Sequence, residues 1–534
     1  MHVLKTFNLL PVIFFLKSRS DCNFAVSSCH RHILAGHRSE AIEARLHELL
    51  ADFPFLEGHA QTRNLIHHGL GSHHGGQLPH WKIIVEKLMN EGLLDAMFST
   101  STVAAGVNFP ARSVVMVQSD RFNGKEFVSL SSTELHQAIG RAGRRGKDKI
   151  GFALMAHGPF QDPHLIARLL KKDPEAIESQ IKINFSMCLN LLLSQTPDEV
   201  FKLLNDSFAT FQRAASVRDL EERYNDSNEE LDRLTEGARC QDANQMAELI
   251  TKRSDGYKRL SALISKKKKY VKQCARAQAD ISEDGYIKHA AAEIADLSRE
   301  LKNLPCKGCP CFTFCHQGKK KSHSGKLVLK TNELQAQLEH ARSYLRIEFT
   351  RHLDFLILNG FATETGALTE DGLWASKLRL DQPLIIAELI RKNKFSSMTP
   401  EMLAAMIAVF VNDKYRDLEL DTSISWSKKD VMGVYDQLKD AIQDLTRKKE
   451  EHNFKLPVLQ FWPAAALYTW ASGEGWEGVI RLTAVDEGDL AMLIFRTADN
   501  LRQLTSLEKT HPELAAKAHQ SIRLLLREPV IIPL

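Results

Sequence analysis

Residues 137–146 read QAIGRAGRRG. A glutamine, Gln137, precedes Gly-Arg-x-Gly-Arg, so Arg141 and Arg144 stand about one helical turn apart, and Gly140 and Gly143 let the backbone come close to a ligand. A planar, permanently charged guanidinium suits a phosphoryl group in transfer, whose negative charge is spread over several oxygens. A basic turn that holds carboxylates would satisfy this short pattern as well, so its neighbours have to decide. Upstream, residues 98–111 (FSTSTVAAGVNFPA) run in the order strand end, hydroxyl cluster, short helix and Gly-Val-Asn-Phe-Pro. Hydroxyls and amides at a strand end can hold phosphates, and Gly106 permits the turn that aims Asn108. Residues 11–22 (PVIFFLKSRSDC) form a strand that delivers Ser18 and Arg19 to its C-terminal edge, and His73-His74-Gly75-Gly76 follows. In an open α/β sheet, ligands bind at that edge.

Around these motifs, residues 1–160 alternate β-rich and helix-patterned runs, as the βα units of a parallel sheet do. Strands are expected at 11–16, 96–100, 113–118 and 151–156, and helices at 40–52 and 80–90. Asn123-Gly124, flanked by Arg121-Phe122 and Phe127-Val128, signals a hairpin. Residues 161–214 read as a small helical module, similar to a winged helix, with breaks at Pro174 and Pro197 and a buried run at 187–193. From 215 to 303 the composition shifts to charged residues with sparse apolar ones at spacings near three, four and seven, which predicts paired long helices projecting from the body. Lys266 to Lys269 fit a solvated face. Helical periodicity resumes at Lys330 and continues to the C-terminus, so the fold expected is an α/β RecA-like domain followed by largely α-helical accessory domains.

A chain of 534 residues is long enough for about three or four domains. Its 70 basic and 66 acidic residues leave a formal charge of +4, so any nucleic-acid surface must be local. Nine cysteines, an odd count, disfavour a disulfide scaffold and point to a reduced, cytoplasmic protein. Residues 9–16 (LLPVIFFL) imitate a signal-peptide core. They fall short of the roughly 20 residues that span a bilayer and are followed by Lys17-Ser18-Arg19-Ser20, so a buried strand is expected and no membrane role. Cys306, Cys309, Cys311 and Cys315 lie within ten residues. Thiolates at that density suit tetrahedral Zn²⁺, yet a usual site takes two pairs from separate segments, and a reduced structural turn is the alternative. Cys22, Cys29, Cys188, Cys240 and Cys274 are scattered and read as ordinary thiols.

In these motifs the chain resembles the second RecA-like domain of superfamily two helicases, and in particular the DExH-box superkiller and exosome-cofactor (Ski-like) family. Residues 11–22 resemble its motif IV, 98–111 its motif V and 137–146 its motif VI. The resemblance implies that Arg144 is the arginine finger on the γ-phosphate of ATP, with Arg141 and Gln137 beside it. It places Gly106, Asn108, Gly140 and Gly143 on the nucleotide side, and Ser18, Arg19, His73, His74 and Thr100 on the nucleic-acid side. Gly76 and Gln77 replace the small-Leu pair of the family's HHAGL-like motif. Residues 184–190 and 207–212 resemble the segment linking motor to accessory domains. Residues 353–391 and 470–504 resemble the C-terminal helical domain called DSHCT. Within it, 486–504 (DEGDLAMLIFRTADNLRQL) resembles the ratchet helix that lies across single-stranded nucleic acid, with Asp489, Arg496 and Asn500 on one face. A bundle helix with a solvated face would show the same spacing.

The implied domains are 1–160 (second RecA-like), 161–214 (winged-helix-like), 215–345 (helical insertion with the cysteine cluster) and 346–534 (DSHCT-like bundle). No GxxxxGK[ST] and no strand-terminal DExH tetrad occur, so a C-terminal half is expected, using ATP and Mg²⁺ only with a first RecA-like domain supplied in cis or in trans. Alone it should not hydrolyse NTP. The implied partner is single-stranded or duplex nucleic acid, RNA by the resemblance, and the hairpin is the implied strand splitter. The segment 215–303 lacks the alternating strands of the knob that some relatives carry on a longer arch. The alternatives are a non-catalytic nucleic-acid-binding pseudo-helicase and a zinc-dependent adaptor.

Overall fold

The apolar run at 9–16 supplies the middle of a sheet. In the computed structural model the described residues are all except 30, 101–109, 124–125, 235, 241–242, 277–283, 317–322, 413–414, 417, 422, 424–425 and 532–534. Gly106, Asn108 and Gly124 therefore lie outside the described residues. Two compact units form, one from Met1–Ile177, Phe185–Leu193 and Phe355–Leu534, the other from Glu178–Asn184 and Ser194–Asp354.

The first unit contains β1 (Val12–Phe15), β2 (Leu70–His73), β3 (Ala96–Ser99), β4 (Ser113–Met116), β5 (Asp120–Phe122), β6 (Phe127–Ser129) and β7 (Phe152–Met155). Five of these make a parallel sheet in the order β2-β3-β1-β4-β7, with Val12 opposite Ala96 on one side and Ser113 on the other. Both faces of the central strands are covered, which is why β1, β3 and β4 read as near-continuous apolar runs rather than alternating ones. The Pro79–Asn90 helix opens with proline, whose missing N–H costs nothing at a helix start, and buries Trp81, Ile84, Val85 and Leu88. β5 and β6 pair antiparallel as the Asn-Gly signal implied, and Phe122 and Phe127 sit exposed with ring centroids 5.3 Å apart. Because the five strands of this sheet run the same way, the residues that follow β1 and β2 emerge together at one edge.

In the C-terminal part of this unit the Pro400–Val411 helix is apolar all round and is buried from Met402 to Val411. A helix with no polar face has to be enclosed. Its contacts are with Trp462–Ala471, Glu487–Thr505 and Pro512–Leu525. Ala491 of Glu487–Thr505 belongs to the same core as Ile13, Trp81 and Val114 of the α/β part. The sheet and the C-terminal helices thus share one core.

The second unit is helical among its described residues: Pro197–Asn205, Phe208–Leu234, Ala243–Arg276, Gly285–Lys302, Phe312–His316 and most of His323–Leu358. Ala243–Arg276 packs on Gly285–Lys302, where a Cβ on Gly256 would meet Leu301 at 2.5 Å. Phe208–Leu234 is tied to His323–Leu358 by the buried Ser227–Thr331 hydroxyl pair at 2.7 Å. Lys266, Lys268 and Lys269 are exposed. No helix among the described residues is long and apolar enough to cross a membrane.

One glycine tests the C-terminal domain. Thr369 caps the Glu370–Ala375 helix by accepting from the Gly372 N–H at 3.2 Å, and a Cβ on Gly372 would stand 2.0 Å from the Phe361 carbonyl oxygen. Gly372→Ala therefore forces backbone apart and should destabilise the chain by about 1–3 kcal/mol. Urea unfolding followed by tryptophan fluorescence reads that loss.

Candidate nucleotide and nucleic-acid interface

The Ser132–Ile139 helix starts in a capping box, Ser131 bonding the Glu134 N–H while Glu134 returns to the Ser131 N–H. It carries Gln137, exposed, in its last turn and ends at Gly140. The chain after it is drawn against the end of the 98–111 segment: Ala111 donates to the Arg141 carbonyl at 3.0 Å, and Gly143 donates back to Ala111 at 2.7 Å. Gly143 has φ +92, a left-handed conformation that favours glycine, and on the other side of this turn a Cβ on Gly151 would lie 2.4 Å from Ala142.

Arg144 is fixed in that turn. Its Nε donates to Asp148 Oδ2 at 2.8 Å and its Nη2 to Oδ1 at 3.1 Å, while its backbone N–H reaches Oδ2 at 3.0 Å. Arg112 donates to the same carboxylate at 2.9 Å. The Asp148 side chain is only 1% exposed. The hydrogen bond from Arg144 pulls its carboxyl down to about 2. Sequence reading missed Asp148 and Arg112, although an acid four residues after an arginine is a legible pair.

At the sheet edge, Ser18 caps the Arg19–Ser28 helix by accepting from Asp21 N–H at 3.1 Å and donates to the Asp21 carboxylate at 2.7 Å. Arg19 reaches across to the start of Glu487–Thr505: Nη1 lies 2.8 Å from Asp486 Oδ2 and 2.7 Å from Asp489 Oδ2, and Nη2 lies 3.2 Å from Asp489 Oδ1. Arg416 joins Asp489 from the far side at 2.8 Å. Burial works against the charge on Asp489, but the hydrogen bonds from Arg19 and Arg416 outweigh it and hold the carboxyl below its usual range. Arg19 and Asp489 are thus committed to each other.

The loop after β2 completes this contact. His73 and His74 are 5% and 2% exposed and turn inward. His73 Nε2 stands 2.6 Å from Glu86, and Ser99 Oγ donates to the His73 carbonyl at 2.7 Å. His74 Nδ1 accepts from the Gly76 N–H at 3.2 Å, which leaves Nε2 to donate to Asn23 Oδ1 at 3.0 Å. Burial lowers the His74 pKa to about 4, so the ring is neutral near pH 7. Gly488 donates to the Gly76 carbonyl at 3.1 Å, and a Cβ on Gly488 would come within 2.3 Å of the Gly75 oxygen. A Cβ on Gly76 would meet the Asp486 carboxylate at 2.6 Å. Thr100, half-buried, closes the edge.

Farther along Glu487–Thr505, Arg496 lies 3.2 Å from Asp381, Asn500 donates to the Arg496 carbonyl at 2.8 Å, and Met492 is 58% exposed. The accessible stripe therefore runs through Met492, Arg496 and Asn500, while Asp489 belongs to the contact with Arg19. Cys306, Cys309, Cys311 and Cys315 lie in the second unit and form no disulfide.

The parallel α/β part and the helical part joined at its strand edge are each similar to a known family. Residues 55–146 match the helicase conserved C-terminal domain, and residues 365–532 match the DSHCT (NUC185) domain. In these two regions the chain is similar to the C-terminal part of Ski-like DExH-box helicases. It is 35% identical over 216 residues to the probable helicase HelY of Mycobacterium tuberculosis, covering 39% of this chain and 24% of that protein. It is 32% identical over 235 residues to the exosome RNA helicase MTR4 of Homo sapiens, covering 42% of this chain and 22% of that protein. It is 32% identical over 229 residues to the DExH-box ATP-dependent RNA helicase DExH9 of Arabidopsis thaliana, covering 42% and 23%. The matched stretch spans less than a quarter of each of these relatives.

Asp148→Asn removes the charge that Arg144 and Arg112 share, and should cost about 1–3 kcal/mol. A carboxyl whose pKa is depressed by folding stabilises the fold above its unfolded pKa near 4 and loses that contribution as pH falls through about 2. The wild-type margin over the variant in denaturant titrations should be full above about pH 4 and shrink toward pH 2.

Proposed function

We propose that residues 1–534 act as the C-terminal half of an ATP-dependent RNA helicase, providing the arginine finger and the strand-binding channel to a first RecA-like domain. The observation that carries this reading is the direct seating of the Glu487–Thr505 helix, within the DSHCT-matching residues, on the C-terminal edge of the sheet, where it meets Arg19 and the loop after β2. The names of two relatives, MTR4 and DExH9, support RNA as the substrate class.

Arg144 is the finger. Asp148 takes the Arg144 Nε and one Nη2 hydrogen and so fixes the guanidinium plane, leaving Nη1 and the second Nη2 hydrogen to meet phosphate oxygens. ATP with Mg²⁺ would supply the phosphoryl group, cradled by the phosphate loop and carboxylate of the first domain, neither of which is encoded in residues 1–534. Gln137 lies in the last turn of the preceding helix and Arg141 in the chain just after it. Strand binding falls to Met492, Arg496 and Asn500, through stacking and phosphate contacts that do not read sequence and weaken with salt. The β5–β6 hairpin, with Phe122 and Phe127 exposed, is placed in the sequence where the family has its strand splitter.

Reconstitution tests the assignment. The chain alone should show no ATP turnover. Addition of a first RecA-like domain of the same family should produce RNA-stimulated turnover that Arg144→Ala lowers by about 10³-fold or more, leaving RNA binding intact. Arg496→Ala should weaken binding of a labelled single strand more than Lys267→Ala does, read by fluorescence anisotropy. Turnover by the chain alone that survives Arg144→Ala contradicts the division of the active site. Strand binding without turnover in any combination would favour the non-catalytic reading.

A further inference from the structure

The second unit contains a small cavity that the motor account does not use. Five thiols line it: Cys240, Cys306, Cys309, Cys311 and Cys315. The sequence places four of them in one short segment, but Cys240 comes from the connection after Phe208–Leu234, a separate part of the chain. Cys240 and Cys315 pack in one cluster with Leu231, Met246, Ile250 and Val328. Among the described residues no group of three or more ligating side chains is already gathered at metal-binding geometry, so the thiols ring the cavity without closing on a common centre.

The backbone is arranged to bring them in. Cys309 N–H donates to the Cys306 carbonyl at 3.2 Å across a turn whose third residue, Gly308, has φ +81. That is the conformation a type II turn requires at this position, and it sets Cys306 and Cys309 side by side as a knuckle. The next two bonds, Phe312 to Cys309 at 3.0 Å and Cys315 to Cys311 at 3.0 Å, wind the chain on so that Cys315 returns toward the same space. Cys311 lies beside Cys309 and is also tied outward: its Sγ donates to the Glu236 carbonyl at 3.7 Å, fastening the segment of chain that leads to Cys240. Two cations stand by. An Nη of Arg239 lies 3.6 Å from where a Gly308 Cβ would be, and Arg253 lies over the Phe312 ring at 4.5 Å. A tetrathiolate around a divalent ion carries two net negative charges, and two guanidinium groups beside an apolar pocket would offset them.

We propose that Cys240, Cys306, Cys309 and Cys315 bind one Zn²⁺ as a structural tetrathiolate, with Cys311 as the hydrogen-bonding tie rather than a ligand. Two ligands come from the knuckle, one from the turn after it and one from a distant segment, which meets the requirement that a closed tetrahedral site draw on separate parts of the chain. Binding replaces four thiol protons with the metal and cross-links the connection after Leu234 to the segment after Lys302.

The test uses the full chain, reduced and freed of metal, then titrated with Co²⁺ as a spectroscopic probe and with Zn²⁺ as competitor. Expected are one Co²⁺ per chain, the intense d–d bands of a tetrahedral site, sulfur-to-cobalt charge transfer for four thiolates, and displacement by one equivalent of Zn²⁺. Cys240→Ser should abolish the tetrahedral spectrum, Cys240→His should restore it with charge transfer reduced by about a quarter, and Cys311→Ser and Cys29→Ser should leave it intact. No tetrahedral cobalt spectrum in the wild type overturns the proposal. So does a spectrum unchanged by Cys240→Ser, or one lost in Cys311→Ser. A loss of two thiols to a disulfide under air with no metal uptake after reduction would also overturn it.

Discussion

Arg19 is the residue on which the first unit turns. It follows the central strand by four positions and closes on two carboxylates that the chain reaches 467 and 470 residues later. Exposed ion pairs of this kind contribute about 0–1 kcal/mol each, so the charge alone would not fix a helix. What makes the contact specific is its surroundings: Asp489 is shared with Arg416, and Gly488 approaches Gly75 and Gln77 so closely that no side chain fits between. Charge sets which groups meet. The missing Cβ sets how near.

From that contact follows the division of labour at the sheet edge. The inward histidines hold the loop after β2 in the shape that receives Gly488. His74 takes the Gly76 N–H and the Asn23 side chain, and His73 is bound to Glu86. The Arg144 turn, at the other functional corner, is held by Asp148 together with Arg112, so a single carboxylate keeps the end of the 98–111 segment and the QAIGRAGRRG turn in register. In both places a charged group is preorganised by an internal partner before any ligand arrives.

Strands β1, β3 and β4 were legible because a buried parallel strand is largely apolar, as residues 12–15, 96–99 and 113–116 are, whereas β2 (Leu70–His73, LGSH) carries too short an apolar signal and was not expected. The helix expected at 80–90 starts at Pro79, within one residue, whereas the one expected at 40–52 starts at Gly36, where no side-chain cap marks the end. The hairpin followed from Asn-Gly chemistry. Partnerships across long sequence distances were not legible, because no local pattern links Arg19 to Asp486. The resemblance put the two histidines on the nucleic-acid side; the structure buries them against Glu86, Asn23 and Gln77, partners that no local pattern announces. Cys240 looked solitary for the same reason. Its neighbours are brought to it by the packing of long helices, which fixes distances that spacing along the chain does not contain.

The central claim is that Arg19 joins the strand edge and the Glu487–Thr505 helix into one supporting frame. Hydrogen–deuterium exchange on wild type and Arg19→Ala tests it most directly. The account predicts that removing the guanidinium lowers protection in residues 73–77 and in the first turns of Glu487–Thr505 together, while β4 and β7 keep theirs. A change confined to residues 18–22, with the Gly488 amide as protected as before, would contradict it.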